Sequence, residues 1–484
     1  MAGLSKSRIL LNLQCPKRLW LQVNHPELAE IDSGTIRRLT AGNTVGDIAR
    51  SLYSDGRLIE PGTLSLALAE TREALSEPSR PLFEATFQSK GVLIRADLLL
   101  PDSAGYRMAE VKSSTSVKDY HLTDAAIQTW VCQQNALPLT RVAIAHIDTS
   151  FVYPGDLNYQ GLLKHVDVTE EIKGLVSEVP TWIEEAQDTL SGSCPTTEIG
   201  NHCTDPFACP FAAQCHPAVA DGAFPLTILP YGKKVITALT AEGLRDLREV
   251  KEEQLSNPKH RRIWRSAISG EAVLDQAAGT KLRVLGYPRY YLDFETIQFV
   301  VPIWAGTRPY AQIPFQWSCH IEMSKGSLSH EEYLSDGSTD PRRSFAESLI
   351  AALGDAGPVI VYNAGFECGR MRELAANFPD LAPALNAIID RVFDLLPVAR
   401  EHYYHPDMMG SWSIKAVLPT IAPELDYGQL DVADGGMAQE AFLELRDPGT
   451  SAERKAEVTR GLLKYCERDT LAMVRVAHFF EGIA

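Results

Sequence analysis

Residues 94–114 read IRADLLLPDSAGYRMAEVKSS. Two apolar runs flank the breaker from Pro101 to Gly105, the pattern of a β-hairpin. Asp97 belongs to the first strand and Glu110, Val111 and Lys112 to the second. Side chains alternate along a strand, so Glu110 and Lys112 share one side while Val111 turns into the packing. With Asp97 on that side too, two carboxylates and one ammonium converge at the end of the hairpin. Phosphodiester hydrolysis uses this equipment: carboxylates hold a hard divalent cation, which activates water and neutralises phosphate charge, and a lysine steadies the attacking oxygen. The same spacing also fits a solvated hairpin face, so the surroundings decide.

Cys15 stands in LNLQCPKRLWLQ, and Cys203, Cys209 and Cys215 follow in HCTDPFACPFAAQC, five residues between each. This split set around the hairpin resembles the Cas4/RecB-type branch of the PD-(D/E)xK nucleases. The resemblance rests on CPKRLWL, Asp97, Glu110-Val111-Lys112 and the C-x5-C at Cys209 and Cys215. It implies a mixed sheet flanked by helices over residues 1–218, and catalysis by Asp97, Glu110 and Lys112. It also implies metal at Glu84, Asp97, Glu110 and Val111, nucleic-acid contact by Gln128 in HLTDAAIQTW, and a [4Fe-4S] cluster on Cys15, Cys203, Cys209 and Cys215. Four thiolates hold zinc as readily, and spacing does not separate the two. Cys194 is a rival to Cys15 as fourth ligand. Gly46 stands where that family carries a histidine, and Trp130 and Cys132 lie where an aromatic follows the glutamine.

The chain has 484 residues, which at about 150 per domain means several units rather than one core. Its 45% hydrophobic and 22% charged content is that of an ordinary globular protein. No apolar run reaches the ~18 residues of a membrane span, so no membrane partner is expected. The N-terminal apolar run is broken by Asn12 and Gln14 and does not read as a secretory signal. A cytoplasmic location follows as an expectation, with the nine cysteines as thiols or metal ligands. A net charge of −16 excludes a protein that coats nucleic acid by bulk charge; a local basic groove would have to hold phosphates.

Residues 35–80 carry helical patterns, followed by strands at Glu84, Asp97 and Glu110, the Gln128 helix, the strand TRVAIAHID and an amphipathic helix in EEIKGLVSEVPTWIEEAQDTL. Residues 219–285 read as a helical connector: ITALTAEGLRDLREVKEEQL is similar to a helix-hairpin-helix with Gly243 at its turn. KHRRIWRSAISG gathers Arg261, Arg262 and Arg265 around Trp264, a composition suited to single strands through charge and stacking. A solvated helix face with one core tryptophan fits it as well.

From 286 a second pattern begins. YYLDFETIQF puts Asp293 and Glu295 on one strand face, GPVIVYNAGFECGR brings Asn363 and Glu367 into a helix, and GLLKYCERDTLAMV places Tyr465 and Asp469 four apart. Order and spacing resemble the DEDDy group of DnaQ-like 3′–5′ exonucleases, with an RNase H-like α/β fold over 286–484. That resemblance implies two metal ions, Mg²⁺ or Mn²⁺, on Asp293, Glu295, Glu367 and Asp469, with Tyr465 orienting the attacking water. That family usually has Asp where Glu367 stands, and Asp394 in VFDLLPVA is an alternative carboxylate. The whole arrangement is similar to bacterial RecB-like nucleases of unknown function. The expectation is a metal-dependent nuclease degrading DNA, single-stranded or with unpaired ends, in repair, recombination or defence. The alternatives are an RNA-processing exonuclease working only through the C-terminal site, and a noncatalytic nucleic-acid-binding scaffold.

Overall fold

The computed structural model describes residues 3–31, 33–60, 62–76, 79–215, 223–425 and 427–483. The chain divides into two compact units, residues 1–217 with 299–311, and 218–298 with 312–484. Each is a mixed α/β unit built on its own sheet.

In the first unit, β1 (Leu4–Ser5), β2 (Arg57–Leu58), β3 (Leu82–Ser89), β4 (Val92–Asp102), β5 (Gly105–Lys112), β6 (Leu139–Ile147) and β7 (Leu163–Asp167) form one sheet. Its order is β2-β3-β4-β5-β6-β7, with β1 added beside the start of β4. The β4–β5 hairpin is antiparallel, closing at Asp102 opposite Gly105. β5 and β6 are parallel, and a parallel pair needs a crossover; the helix Asp119–Gln134 supplies it. That helix, with Lys6–Gln14 and Lys173–Ser191, covers one sheet face over Ile94, Leu99, Met108, Ile127 and Ile183. The expected helical stretch 35–80 resolves into Ser33–Ser51 and Leu64–Ala74. β7 has no counterpart in the sequence reading, because LKHVD offers little alternation.

One irregularity positions the site. Phe83 pairs with Leu98 and Ala85 with Ala96, leaving Glu84 and Asp97 facing each other without a ladder pairing. Leu82 and Ala85, and likewise Ala96 and Leu99, enter the same core cluster although odd intervals separate them. Alternation therefore slips by one on both strands, and Glu84 takes a left-handed φ of 56°.

The second unit holds β8 (Val273–Leu274), β9 (Arg289–Gln298), β10 (Gln312–Ser324), β11 (Ser327–Leu334), β12 (Val359–Val361), β13 (Val392–Asp394) and β14 (Tyr403–Tyr404). Five strands are ordered β11-β10-β9-β12-β13. β9, β10 and β11 are antiparallel, and β12 and β13 run parallel to β9. Leu292, Phe294, Trp317, Phe345, Leu349 and Met371 pack between one face and three helices, Arg342–Leu353, Ala364–Asn377 and Ala382–Ile389. Tyr291 turns the other way, into a cluster with Met473, Val476 and Phe480 of the helix Ala452–Glu481. Leu247, Leu255, Ile263 and Leu282, from the stretch expected as a connector, are buried in that same cluster.

Gly243 stands at a turn with φ 86°. The limb after it is not the helix expected from RDLREVKEEQL but two single 3-10 turns, Leu247–Glu249 and Glu252–Gln254. Asp246 accepts the Arg248 N–H and Glu249 reaches back to the N–H of Arg245 and Asp246, a local capping that competes with a continuing helix. Among the described residues no helix is long and apolar enough to cross a membrane.

Candidate metal sites and the cysteine cavity

Asp293 and Glu295 alternate with buried Leu292 and Phe294 on β9, so they stand on the face toward the helix Ala452–Glu481. Tyr465 and Asp469 meet them there. Among the described residues, Asp293, Glu295 and Asp469 form the one group of three or more acidic, histidine or cysteine side chains with ligand atoms within 4.8 Å of one another. Asp469 accepts hydrogen bonds from Tyr427, at 2.5 Å, and from Tyr465. The Lys415 ammonium lies 4.9 Å from the Tyr465 ring and 5.3 Å from that of Tyr427, and donates to the Ala433 carbonyl. Burial pushes Asp293 and Glu295 well above the ordinary carboxylate range, and neighbouring negative charge adds to it: Asp469 beside Asp293, and Asp293 with Asp469 beside Glu295. Burial raises Asp469 as well, against its tyrosine donors and Lys415. Like charges this close cannot all ionise unaided. A divalent cation removes that conflict, and an all-oxygen donor set suits Mg²⁺ or Mn²⁺.

Glu367 lies in the first turn of Ala364–Asn377, 2% exposed. Its Oε2 is buried without a hydrogen-bond partner among the described residues. Burial first, and Asp293 second, push its carboxyl up to about 9. It is thus within electrostatic reach of Asp293 but outside the 4.8 Å group. Asp394, the alternative carboxylate, is occupied: it accepts the backbone N–H groups of Asn363, Ala364 and Leu396, each at 3.0 Å. It caps two helices and holds Asn363 at a left-handed φ of 98°.

In the first unit the hairpin residues come together with two partners that the sequence reading did not single out, Lys6 and Asp124. Asp97 accepts the Val111 N–H at 2.7 Å, just beyond the last ladder pair, Leu98 with Ala109. Glu110 is 3% exposed and accepts from Lys6 at 2.5 Å, Lys112 at 2.9 Å and Gln128 at 2.6 Å. Asp124, one helical turn before Gln128, accepts from Lys112 at 2.6 Å and from Gln128 at 3.1 Å. Burial alone would raise Glu110, but Lys112 and Lys6 outweigh it and hold the group well below the usual range. Asp97 moves the other way, up to about 8, through burial and then Glu110. Burial works against both lysine charges, yet the surrounding carboxylates raise them. Here two ammoniums already balance the carboxylates. Glu84 is held 3.4 Å from Arg50, and a Cβ on Gly46 would stand 3.7 Å from that guanidinium. Arg50 therefore fills the space beside the expected histidine position. Among the described residues the buried Oε1 of Gln128 has no hydrogen-bond partner.

Cys15, Cys203, Cys209 and Cys215 line one small cavity with Arg18 and His202, while Cys194 is exposed elsewhere. Gln14 ties the N-terminal helix to this loop by donating to the carbonyls of His202 and Phe207, each at 2.7 Å. Cys209 donates its N–H to Cys203 at 2.8 Å. Among the described residues no three of these sulfurs lie within 4.8 Å of one another.

The basic stretch is tied into its own unit. Arg261 donates to the Leu255 carbonyl at 2.6 Å, Arg262 to that of Arg400 at 2.9 Å, and Trp264 to that of Val250 at 2.7 Å. Arg265 pairs with Glu252 at 2.6 Å. Each of these three guanidiniums thus already has one acceptor within its own unit.

Residues 290–413 match a family model described as "Domain of unknown function (DUF2779)". The match spans Asp293, Glu295, Glu367 and Asp394 and ends before Lys415, Tyr427, Tyr465 and Asp469. Similar proteins include an uncharacterized MG366 homolog of Mycoplasma pneumoniae, 29% identical over 213 residues, covering 40% of this chain and 32% of the relative. Uncharacterized protein MG366 of Mycoplasma genitalium is 27% identical over 214 residues, with shares of 40% and 32%. Uncharacterized protein UU173 of Ureaplasma parvum is 27% identical over 231 residues, with shares of 43% and 33%. The chain thus spans about a third of the length of these relatives.

Proposed function

We propose that this chain is a metal-dependent nuclease, a Cas4/RecB-like PD-(D/E)xK unit joined to a DnaQ-like, RNase H-like 3′–5′ exonuclease unit, acting on DNA in the cytoplasm. The carrying observation is the group of Asp293, Glu295 and Asp469 within 4.8 Å, the last two buried, beside Glu367, whose Oε2 has no hydrogen-bond partner among the described residues. The strand order β11-β10-β9-β12-β13 agrees with the fold that resemblance implies. Asp293, Glu295, Asp469 and Glu367 would hold Mg²⁺ or Mn²⁺, which when bound supplies an activated water and charge neutralisation at phosphate. Tyr427 and Tyr465 fix the Asp469 carboxylate by donating to it. Lys415, over both rings, offsets part of the carboxylate charge and stands ready for an anionic substrate. In the first unit Asp97, Glu110, Lys112 and Gln128 lie in one hydrogen-bonded group with Lys6 and Asp124, which supports the first half of that reading. The cysteine cavity would hold a [4Fe-4S] cluster that ties the N-terminal helices to the loop at 203–215.

A second reading, favoured by one observation, is that only the C-terminal site cuts, on RNA or DNA. Lys6 and Lys112 together already satisfy Glu110 and Asp124, so the first site is electrically closed without a metal. End-labelled single- and double-stranded DNA and RNA, digested by wild type, Asp97→Ala, Asp293→Ala and the double variant, separate the readings. The proposal expects Mg²⁺-dependent release of 3′ label first, lost in Asp293→Ala, and a further product class lost in Asp97→Ala. No cleavage by wild type on any substrate overturns it; Asp97→Ala equal to wild type throughout selects the second reading.

A further inference from the structure

A groove of about 800 Å³ opens in the second unit, walled by Tyr231, Lys259, Tyr362, Asn363, Arg400 and Trp412. We propose that it binds a single-stranded nucleic acid, with a base stacked on Tyr231 and flanking phosphates on Lys259 and Arg400. The proposal deepens the nuclease reading, on which it rests for the direction in which the strand runs.

Charge is the first argument. In a chain with 62 acidic and 46 basic residues, no acidic side chain among the described residues lines this groove. Lys259 and Arg400 are exposed, and neither side chain has a hydrogen-bond or ion-pair partner among the described residues. That contrasts with Arg261, Arg262 and Arg265 next door, each of which is already engaged. Tyr231 is the second argument. Its side chain is 99% exposed and its backbone sits in the left-handed region at φ 55°. A bulky residue in that conformation costs free energy, and here the ring gains no packing in return. An aromatic face held open beside unpaired cations is the equipment of single-strand binding, sequence-tolerant because every base has a π-face.

The walls are also firmly fixed. One helix, Pro258–Ser269, anchors both. Buried His260 donates through Nε2 to the Pro230 carbonyl at 2.9 Å, which sets the turn that presents Tyr231. Arg262 donates to the Arg400 carbonyl at 2.9 Å, which sets the opposite wall. Lys259, one residue before His260 on that helix, is itself a wall residue. The floor is pinned by the Tyr362 hydroxyl donating to the Trp412 carbonyl at 2.8 Å. Two lining residues adjoin the carboxylate site in sequence: Ile414 precedes Lys415, and Asn363 opens the helix that carries Glu367.

The test is fluorescence anisotropy of a fluorescein-labelled oligothymidylate with the full chain in EDTA, so that metal contributes nothing, beside an oligouridylate of equal length. Tyr231→Ala should weaken binding about ten-fold and Tyr231→Trp restore it. Lys259→Ala and Arg400→Ala should each weaken it and reduce the slope of log affinity against log salt by about 0.7. Lys325→Ala, a surface lysine on the β10–β11 turn, is the control. Wild-type affinity in Tyr231→Ala, losses at Lys259 and Arg400 no larger than at Lys325, or no binding of either oligomer, overturns the groove. If these variants lose binding while wild type cleaves nothing in Mg²⁺, the groove stands and the nuclease reading falls. If wild type cleaves and the variants bind normally, the reverse holds.

Discussion

At the residue scale, the first site turns on Lys6. Its ammonium lies 2.5 Å from Glu110 and 3.5 Å from Asp124, with its side chain 20% exposed. Removing one partner of such a group leaves buried charge uncompensated. Lys6→Met should therefore lower the stability of the metal-free first unit by about 2 kcal/mol in denaturant unfolding, and Mg²⁺ should restore part of that loss. An unchanged midpoint would mean that Lys6 compensates nothing. Two buried histidines give a pH signature. His121 and His320 are 1% and 5% exposed, and burial first of all pushes each down to about 4. Folded, they are neutral at pH 7; unfolded, they take up a proton near 6.5. Their contribution is fully present above about 6.5 and is lost as pH falls through about 4. Unfolding midpoints should fall over that window, less steeply in His320→Asn. Equal slopes in wild type and variant would remove His320 from the account.

At the scale of elements, the hairpin, the Gln128 helix, β9 and the long C-terminal helix were all legible, because each carries its chemistry on a period of 2 or 3.6 within one short motif. What was not legible came mostly from elsewhere in the chain. Lys6 reaches the hairpin from the N-terminal helix, Asp124 sits unremarked one turn before Gln128 on its helix, and Tyr427 reaches Asp469 from a 3-10 turn at Tyr427–Gln429 that has no spacing signature. The paired slip at Glu84 and Asp97 depends on register between strands, which one strand's pattern does not encode. Basic composition is silent on pairing: KHRRIWRS names four cations but not which acceptors they find, and three have one within their own unit. The cysteine loop yields an element-scale prediction. Gln14 and the cavity hold the segment 203–215 to the N-terminal helices, and metal binding adds to folding when ligands come from distant segments. Anaerobically purified protein should be brown, and Cys209→Ala should lose the colour and become proteolysed in the first unit. Colourless protein with stoichiometric zinc would remove the cluster and leave the clasp.

At the scale of the molecule, two mixed α/β units each gather carboxylates at a sheet, and they do so in electrically opposite ways. The first balances its acids with Lys6 and Lys112. The second leaves Asp293, Glu295 and Asp469 packed together, raised by burial and by one another, with Lys415 as the nearby cation. Such repulsion is retained at a cost in stability, and function is the usual reason for retaining it. The direct test is a Mn²⁺ titration of the metal-free protein, followed by calorimetry and by thermal unfolding, for wild type and Asp293→Asn. Binding should release protons and, at a hundred times the dissociation constant, stabilise wild type by about 2.7 kcal/mol. Asp293→Asn should be no less stable than wild type without metal and should gain nothing with it. Mn²⁺ binding that is absent from wild type, or that is equal in Asp293→Asn, would contradict the central claim that these three carboxylates are a metal site.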